Sequence, residues 1–254
     1  MKPAPADAEA HEHSHADVSG GWLRAAVFGA MDGLVTNTAL VAGVGGGGAA
    51  PRAIVLAGVA SLVAGAISMA LGEYTSVKTQ NEQLDLEVAK ERRELEINPD
   101  GELAELIEML RVRGVEDHLA REVAVQLSRD PETALRLHIV AELGLSPEDK
   151  PSPRTAAISS LLTFSLGAVL PLLPYLFGLP VLWAALVCGG LGLIVAGALS
   201  SLFTPRSWWY AGLRQLLFGA IAAGATYGIG SLIGVTVGWR VRQDVQERPA
   251  VSSA

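Results

Sequence analysis

The sequence has few cysteines and few charged residues for its length. Its only cysteine among 254 residues is Cys188, which excludes a disulfide within one chain and any cysteine-rich metal site. Charged residues make up 18%, against roughly 25% in a typical soluble domain, whereas 50% of the residues are hydrophobic. This shortage of charge indicates a membrane protein that carries a polar part.

Positive charge is scarce as well, since 19 Lys and Arg stand against 26 Asp and Glu. The resulting net charge of −7 argues against a nucleic-acid partner. Residues 1–21 are rich in Pro, Ala and His, and lack the basic patch and apolar core of a cleavable signal peptide. We therefore expect a flexible tail, followed by a first membrane helix that serves as the anchor. Its "HEHSH" run, His11 to His15, offers weak metal binding without fixed geometry.

Long hydrophobic runs dominate the rest of the chain. Five of them approach or exceed the roughly 20 residues that span a bilayer: 23–44, 53–74, 155–177, 181–203 and 213–239. No segment has good period-two alternation, so we predict an all-α, polytopic membrane protein with five transmembrane helices. The predicted regions are the tail 1–21, helices one and two in 22–77, a polar insert 78–150, helices three to five in 151–239, and a C-terminal tail 240–254.

The sequence of the polar insert also predicts helices. Residues 78–97 contain no Pro or Gly and are predicted to continue the second span as one long helix, which "NPDG" ends. Further helices are predicted over 101–113, 115–128 and 131–143. Asp130 is the expected N-cap of the last, and Gly144 its end.

Basic residues predict the orientation. Of the 19 Lys and Arg, 11 lie between Lys78 and Arg154. In a five-span topology, Arg206 and Arg214 lie on the same side of the membrane as these 11 residues. The C-terminal arginines lie on the opposite side, but they are fewer. The positive-inside rule then makes the N-terminus and insert cytoplasmic, in a multi-pass protein of the cell membrane.

Three residues within the first two spans could carry chemistry. Asp32 is an ionisable group at membrane depth, where a charge costs roughly 2.5 kcal/mol or more, although an interfacial position would explain it too. Met69 and Glu73 are four residues apart and share one helix face. A mixed oxygen and sulfur site of this kind suits Fe²⁺, Mn²⁺, Co²⁺ or Zn²⁺ better than Ca²⁺ or Mg²⁺. For Met69 alone, core packing would be a sufficient explanation.

The insert holds a second group of acids at helical spacing. Glu91 and Glu94, Glu102 and Glu105, and His138 and Glu142 form pairs three or four residues apart. Such pairs, turned inward from several helices, can build a carboxylate metal cluster. Interspersed basic residues leave a solvated, salt-bridged face as the alternative.

Several motifs together resemble the vacuolar iron transporter family, whose bacterial members are inner-membrane proteins. They are "FGAMDGLVTNTALVAGV", "GAISMALGEYTSVKTQNE", "ERRELE", "ELAELIEML" and "TFSLGAVLPLLPY". The resemblance covers residues 20–235, nearly the whole chain.

The resemblance implies a homodimer of five-span protomers that exports Fe²⁺, and often Mn²⁺, from the cytosol in exchange for protons. It implies a translocation pathway with Asp32 and Met69, to which Glu73 of the "GEY" motif is carried over. It also implies that cytoplasmic glutamates bind metal, namely Glu91 with Glu94, Glu102 with Glu105, and Glu142. The family often has a further acid at the position of Ile139, so His138 beside it is a candidate substitute.

We therefore predict a secondary transporter for a divalent metal and not an enzyme. Fe²⁺, or Mn²⁺, Co²⁺ or Zn²⁺, is its expected substrate, and no tightly bound cofactor is expected. A metal-dependent membrane enzyme would need a phosphate-cradling glycine loop or a histidine–carboxylate cluster at the membrane face, and the sequence shows neither. In a membrane-anchored storage or sensing protein, Asp32 and Met69 would have no function.

Overall fold

A computed structural model describes residues 21–144 and 150–246, and these residues are almost entirely helical. In chain order the helices are α1 (Trp22–Gly46), α2 (Pro51–Ile97), α3 (Pro99–Val112), α4 (Asp117–Leu127), α5 (Pro131–Leu143), α6 (Pro153–Val169), α7 (Leu173–Leu176), α8 (Leu182–Ser200) and α9 (Trp208–Gln246). Five segments are long and apolar enough to cross a membrane: α1, α2, α6 with α7, α8, and α9. The predicted all-α class and its five membrane helices are confirmed. The tail that contains His11 to His15 lies outside the described residues.

Helix α1 is the centre of the membrane part, because α2, α6, α8 and α9 all pack against it. The approach to α6 is close. A Cβ atom added at Gly33 would lie 2.2 Å from the backbone oxygen of Phe164, and one at Gly167 would lie 2.3 Å from that of Ala30. Small residues are therefore required on both sides of this crossing.

Helix α2 confirms the prediction that the second span and residues 78–97 form one continuous helix. Its 47 residues correspond to a length of roughly 70 Å. The half beyond residue 77, here called the arm, packs against α5 through a small core of Leu84, Leu135 and Ile139. At its base, Asn81 donates a hydrogen bond to the carbonyl of Pro151, just before α6. The arm is thus attached both to α5, in the rest of the insert, and to the start of the third span.

The helix ends differ from the predictions at several places. Trp208 to Tyr210 lie outside the predicted fifth span, 213–239, but are the first residues of α9, which begins five residues earlier. The third span contains a 3₁₀ turn at Leu170–Leu172, because Pro171 and Pro174 have no N–H group for the helical ladder. In the insert, α3 begins two residues before the predicted start, since Asn98 caps it by accepting from the N–H of Gly101. The bounds of α5, with Asp130 as N-cap and Gly144 in the left-handed conformation, are as predicted.

Candidate metal-ion site

The insert places one imidazole among three carboxylates. His138 of α5 has its Nδ1 atom 3.1 Å from a carboxylate oxygen of Glu91 in α2 and 3.5 Å from one of Glu102 in α3. Glu142, one turn further along α5, contributes a third oxygen at 3.8 Å. These four side chains, which we call the His138 cluster, bring together three helices that are separate in the sequence.

The His138 cluster is largely shielded from solvent. His138 is 1% exposed, and Glu91 and Glu102 are 7% and 6% exposed, whereas Glu142 is the exposed member of the cluster. Both ring nitrogens of His138 and one oxygen each of Glu91 and Glu102 are buried without a hydrogen-bond partner among the described residues. Buried polar atoms are normally hydrogen-bonded, and Nδ1 of His138 meets the two carboxylate oxygens at one point, so a bound cation is a candidate partner for these three atoms. A cation at this point would be bound by Nδ1 and the carboxylate oxygens, whereas Nε2 lies on the other side of the ring and points away from it.

The electrostatics of the cluster agree with this interpretation. Burial, together with the charges of Glu142 and Glu102, raises the pKa of Glu91 to about 7. Burial also raises the pKa of Glu142, and the charge of Glu105 adds to that effect. Carboxylates held together without a counter-charge hold protons more tightly, and a divalent metal ion would relieve the same repulsion.

The cluster is positioned by contacts around it. Arg92, next to Glu91, donates two hydrogen bonds to the carboxylate of Glu132, at 2.5 and 3.2 Å, and ties the arm to the start of α5. Arg113, just after α3, donates to the carbonyl of Ala141, beside Glu142. The interspersed arginines are therefore partly a salt-bridged face, as the alternative interpretation expected, but they surround a buried acidic cluster.

The remaining predicted insert residues, Glu94 and Glu105, lie at the edge of the cluster. Both are exposed, and their charges help to raise the pKa values of Glu91 and Glu142, respectively. They are close enough to contribute charge or outer ligands. The structure thus gathers the six predicted insert residues at one place, four in direct proximity and two beside them.

The three predicted membrane residues are placed separately. Asp32 of α1 is half-buried and accepts a hydrogen bond from Thr36 at 3.3 Å. Met69 of α2 is half-buried against a cluster that includes Phe164 of α6. Glu73 is 8% exposed and forms an ion pair with Arg24 at 2.8 Å. Among the described residues, no hydrogen bond or ion pair joins these three side chains.

Sequence reasoning gave no structural role to Asn37, which the structure places at the centre of the bundle. It is fully buried and donates to the backbone carbonyls of Gly58 in α2 and Ala168 in α6, at 3.3 and 2.5 Å. Its position five residues after Asp32 in an apolar helix was the available signal. Asn37 joins α1, α2 and α6 at membrane depth, where a polar side chain commonly links helices.

Comparison with known proteins decides the family. A family model described as the VIT family matches residues 23–231, which include the insert and all or most of each of the five spans. This chain belongs to the VIT family.

Similar VIT-family proteins come from plants and a protist. The chain is 35% identical over 218 residues to a vacuolar iron transporter of Centaurea cyanus, covering 83% of this chain and 87% of that protein. It is 37% identical over 216 residues to a vacuolar iron transporter of Acanthamoeba castellanii, covering 84% and 78%. It is 34% identical over 221 residues to vacuolar iron transporter 1 of Oryza sativa subsp. japonica, covering 85% and 86%.

These matches confirm the resemblance that the motifs indicated. The relatives are named as transporters and not as enzymes, which agrees with the prediction that this chain is not an enzyme. With five candidate membrane helices, this VIT-family chain is a multi-pass membrane protein.

Proposed function

We propose that this chain is a secondary transporter that exports Fe²⁺ from the cytosol in exchange for protons, with Mn²⁺ as a second substrate. The observation that carries the proposal is the His138 cluster, a largely buried set of metal-ligating side chains, one of which, Glu91, lies on a helix continuous with a membrane span. The names of the relatives support iron as the substrate.

In this proposal the insert collects metal ions and the bundle carries them. Met69 and Glu91 lie on the same helix, 22 residues apart, which corresponds to about 33 Å along its axis. Ions gathered at the His138 cluster, with Glu94 and Glu105 at its edge, would leave along the arm toward the membrane. Asp32 and Met69 would form the pathway there, and Glu73 with Arg24 would stand at its cytoplasmic mouth.

Proton coupling follows from the ligand types. A carboxylate binds a proton or a divalent cation, but not both well at once, so Asp32 would exchange metal for a proton. Met69 cannot be protonated, so its sulfur would add preference for a softer metal without entering the proton count.

A homodimer fits the faces that the protomer leaves open. The small residues Ala60, Ala64, Ser68 and Gly72 recur every four positions on α2, and all are exposed. On α9, an added Cβ at Gly224 or Gly228 would meet no atom of the described residues within 4 Å. Such small-residue faces allow close approach of a second membrane helix. We propose that the dimer lies in the cell membrane with the N-terminus and the insert in the cytoplasm.

Flux into liposomes tests the transport proposal. Purified protein is reconstituted with an Fe²⁺-sensitive dye inside, and a pH gradient is imposed under anaerobic conditions. We expect flux that depends on the gradient and falls at least about tenfold in Asp32→Asn and Met69→Leu, because each change removes a proposed ligand at nearly constant volume. Asp100→Asn and Met109→Leu in the insert are the matched controls and should retain flux.

A storage or sensing role is the second candidate, because the buried cluster lies outside the predicted spans. That role would require no Asp32 or Met69. Unchanged flux in both variants would remove the proposed pathway. Absence of flux from the unmodified protein, with metal still bound at the insert, would replace transport by storage or sensing.

A further inference from the structure

The His138 cluster contains one ligand type that differs from the rest. Three of its four side chains offer carboxylate oxygens, and only His138 offers nitrogen. The ring is held in place from below, because the neighbouring Leu135 and Ile139 are buried in the core against Leu84 of the arm. With 1% of its surface exposed, the imidazole has no route to solvent and faces the carboxylates.

The distances in the cluster are those between neighbouring ligands of one metal ion. Metal–nitrogen and metal–oxygen bonds of about 2.0–2.2 Å place adjacent ligand atoms roughly 3.0–3.5 Å apart. Nδ1 of His138 lies 3.1 and 3.5 Å from oxygens of Glu91 and Glu102, and 3.8 Å from one of Glu142. Only Glu142, the most exposed of the three, would have to move inward.

The nitrogen ligand of His138 affects which metal ions the cluster prefers. Carboxylates suit Mg²⁺, Ca²⁺ and Mn²⁺, whereas imidazole suits Fe²⁺, Zn²⁺ and other later transition metals. We infer that His138 is a specificity-determining ligand, which makes the cluster prefer Fe²⁺, Co²⁺ and Zn²⁺ over Mn²⁺, Mg²⁺ and Ca²⁺. The inference rests on the proposed function only in that the cluster holds the transported metal.

A different role for His138 makes different predictions. A ring that only carries positive charge between the carboxylates would stabilise the insert but would never contact the metal. Metal preference would then survive its replacement, and no histidine nitrogen would couple to a bound ion. Both consequences can be measured.

The first measurement needs no change at His138. In the full-length protein with His11, His13 and His15 replaced by Ser and with His118→Gln, His138 is the only histidine left. Pulsed electron paramagnetic resonance of bound Mn²⁺ should show coupling to one directly bonded nitrogen. That coupling should change when the protein is made with histidine that carries ¹⁵N in its ring, because all backbone nitrogens then remain ¹⁴N. Bound Mn²⁺ without a histidine coupling would overturn the inference.

The second measurement compares affinities. Binding of Co²⁺ and Mn²⁺ is measured by equilibrium competition for the full-length protein with the three tail histidines replaced by Ser, and then with His138→Gln or His118→Gln added. We expect His138→Gln to lower the Co²⁺ to Mn²⁺ affinity ratio at least about tenfold. His118 is exposed beside Glu116, so its variant should keep the ratio. Thermal unfolding of the metal-free protein shows whether the His138→Gln variant is folded. An unchanged affinity ratio in a folded variant would overturn the inference.

These results are separate from those of the transport assay. Neither measurement needs a membrane gradient. Nitrogen coupling with a shifted affinity ratio, but without liposome flux, would support the selectivity of the cluster and refute transport. Flux that requires Asp32 and Met69, without nitrogen coupling, would support transport and refute the role of His138.

Discussion

At the scale of single residues, the structure separates two acids that the sequence presents alike. Glu91 is buried in the His138 cluster, where one of its oxygens lies 3.1 Å from Nδ1 of His138. Glu87, one turn earlier on the same arm, is exposed and pairs with Lys90. Both lie among charged residues of one helix, so only their surroundings assign one to a site and the other to the solvated face.

Burial of Glu91 predicts an unusual pH dependence of stability. Its pKa is raised from 4.5 to about 7, so below pH 4.5 the group is protonated in both states, and between these values the folded protein binds the extra proton. This contribution to metal-free stability is therefore fully present below about pH 4.5 and is lost as the pH rises through about 7. We expect Glu91→Gln to raise the unfolding temperature of metal-free protein more at pH 8 than at pH 5.

Glu87→Gln is the matched control and should show little difference between the two pH values. Metal affinity should have the opposite dependence and increase through pH 7, because a metal ion must displace the proton from Glu91. A Glu91→Gln effect of equal size at both pH values would contradict the burial argument.

The Arg24–Glu73 pair gives a second prediction at this scale. Glu73 is nearly buried, so removal of Arg24 leaves its charge without a partner. If Glu73 acts only through this pair, Arg24→Gln and Glu73→Gln should reduce flux by similar factors. The double variant should then be no worse than either single one.

The same double-mutant cycle would reveal an independent role. Loss of flux in Glu73→Gln alone, with normal flux in Arg24→Gln, would identify Glu73 as a ligand or proton carrier. Expression and unfolding temperature are measured for all variants, so that a folding defect is not taken for a transport defect.

At the scale of helices, the α1–α6 crossing depends on glycine. An alanine at position 33 would place its Cβ 2.2 Å from a backbone oxygen, and this contact can be relieved only by separating the two helices. We expect Gly33→Ala to destabilise the protein by about 1–3 kcal/mol, a typical effect of overpacking. Thermal unfolding in detergent measures it.

Gly72→Ala is the matched control for this prediction. It lies on an exposed face of α2, and an added Cβ there meets no atom within 4 Å in the part of the chain that the structure describes. Its protomer stability should be unchanged or slightly higher, because alanine is the better helix former. Equal destabilisation by both changes would mean that the close α1–α6 contact is not the cause.

At the scale of the whole molecule, the apolar surface and the charge distribution describe how the protein lies in a membrane. Large hydrophobic side chains such as Leu56, Leu71, Leu191 and Leu232 point outward, as expected of a lipid-facing or subunit-facing surface. The basic residues of the insert predict its side of the membrane.

Thiol labelling tests this orientation. In a Cys188→Ser background, Gln126→Cys places a thiol on the exposed surface of α4, and Ala50→Cys places one in the loop between α1 and α2. A membrane-impermeant reagent should label the first only in inside-out vesicles and the second only in right-side-out vesicles. The reverse pattern would invert the topology and, with it, the proposed direction of export.

The sequence by itself determined the elements. Long apolar runs require helices that satisfy their own backbone hydrogen bonds in lipid, so the five spans were predictable. The absence of Pro and Gly over 78–97 predicted the long α2, and Asp130 with Gly144 fixed α5. These features depend on neighbours along the chain, which a single sequence displays.

Only the tertiary structure decided which polar groups meet. The turn of α5 that places His138 against Glu91 and Glu102 depends on how α5 packs on the arm through Leu84 and Ile139. In the same way, the pairing of Glu73 with Arg24 and the bonds from Asn37 to two other helices join residues at least 21 positions apart. Such contacts depend on how helices cross and rotate against one another, and helical periodicity within one segment carries no information about that.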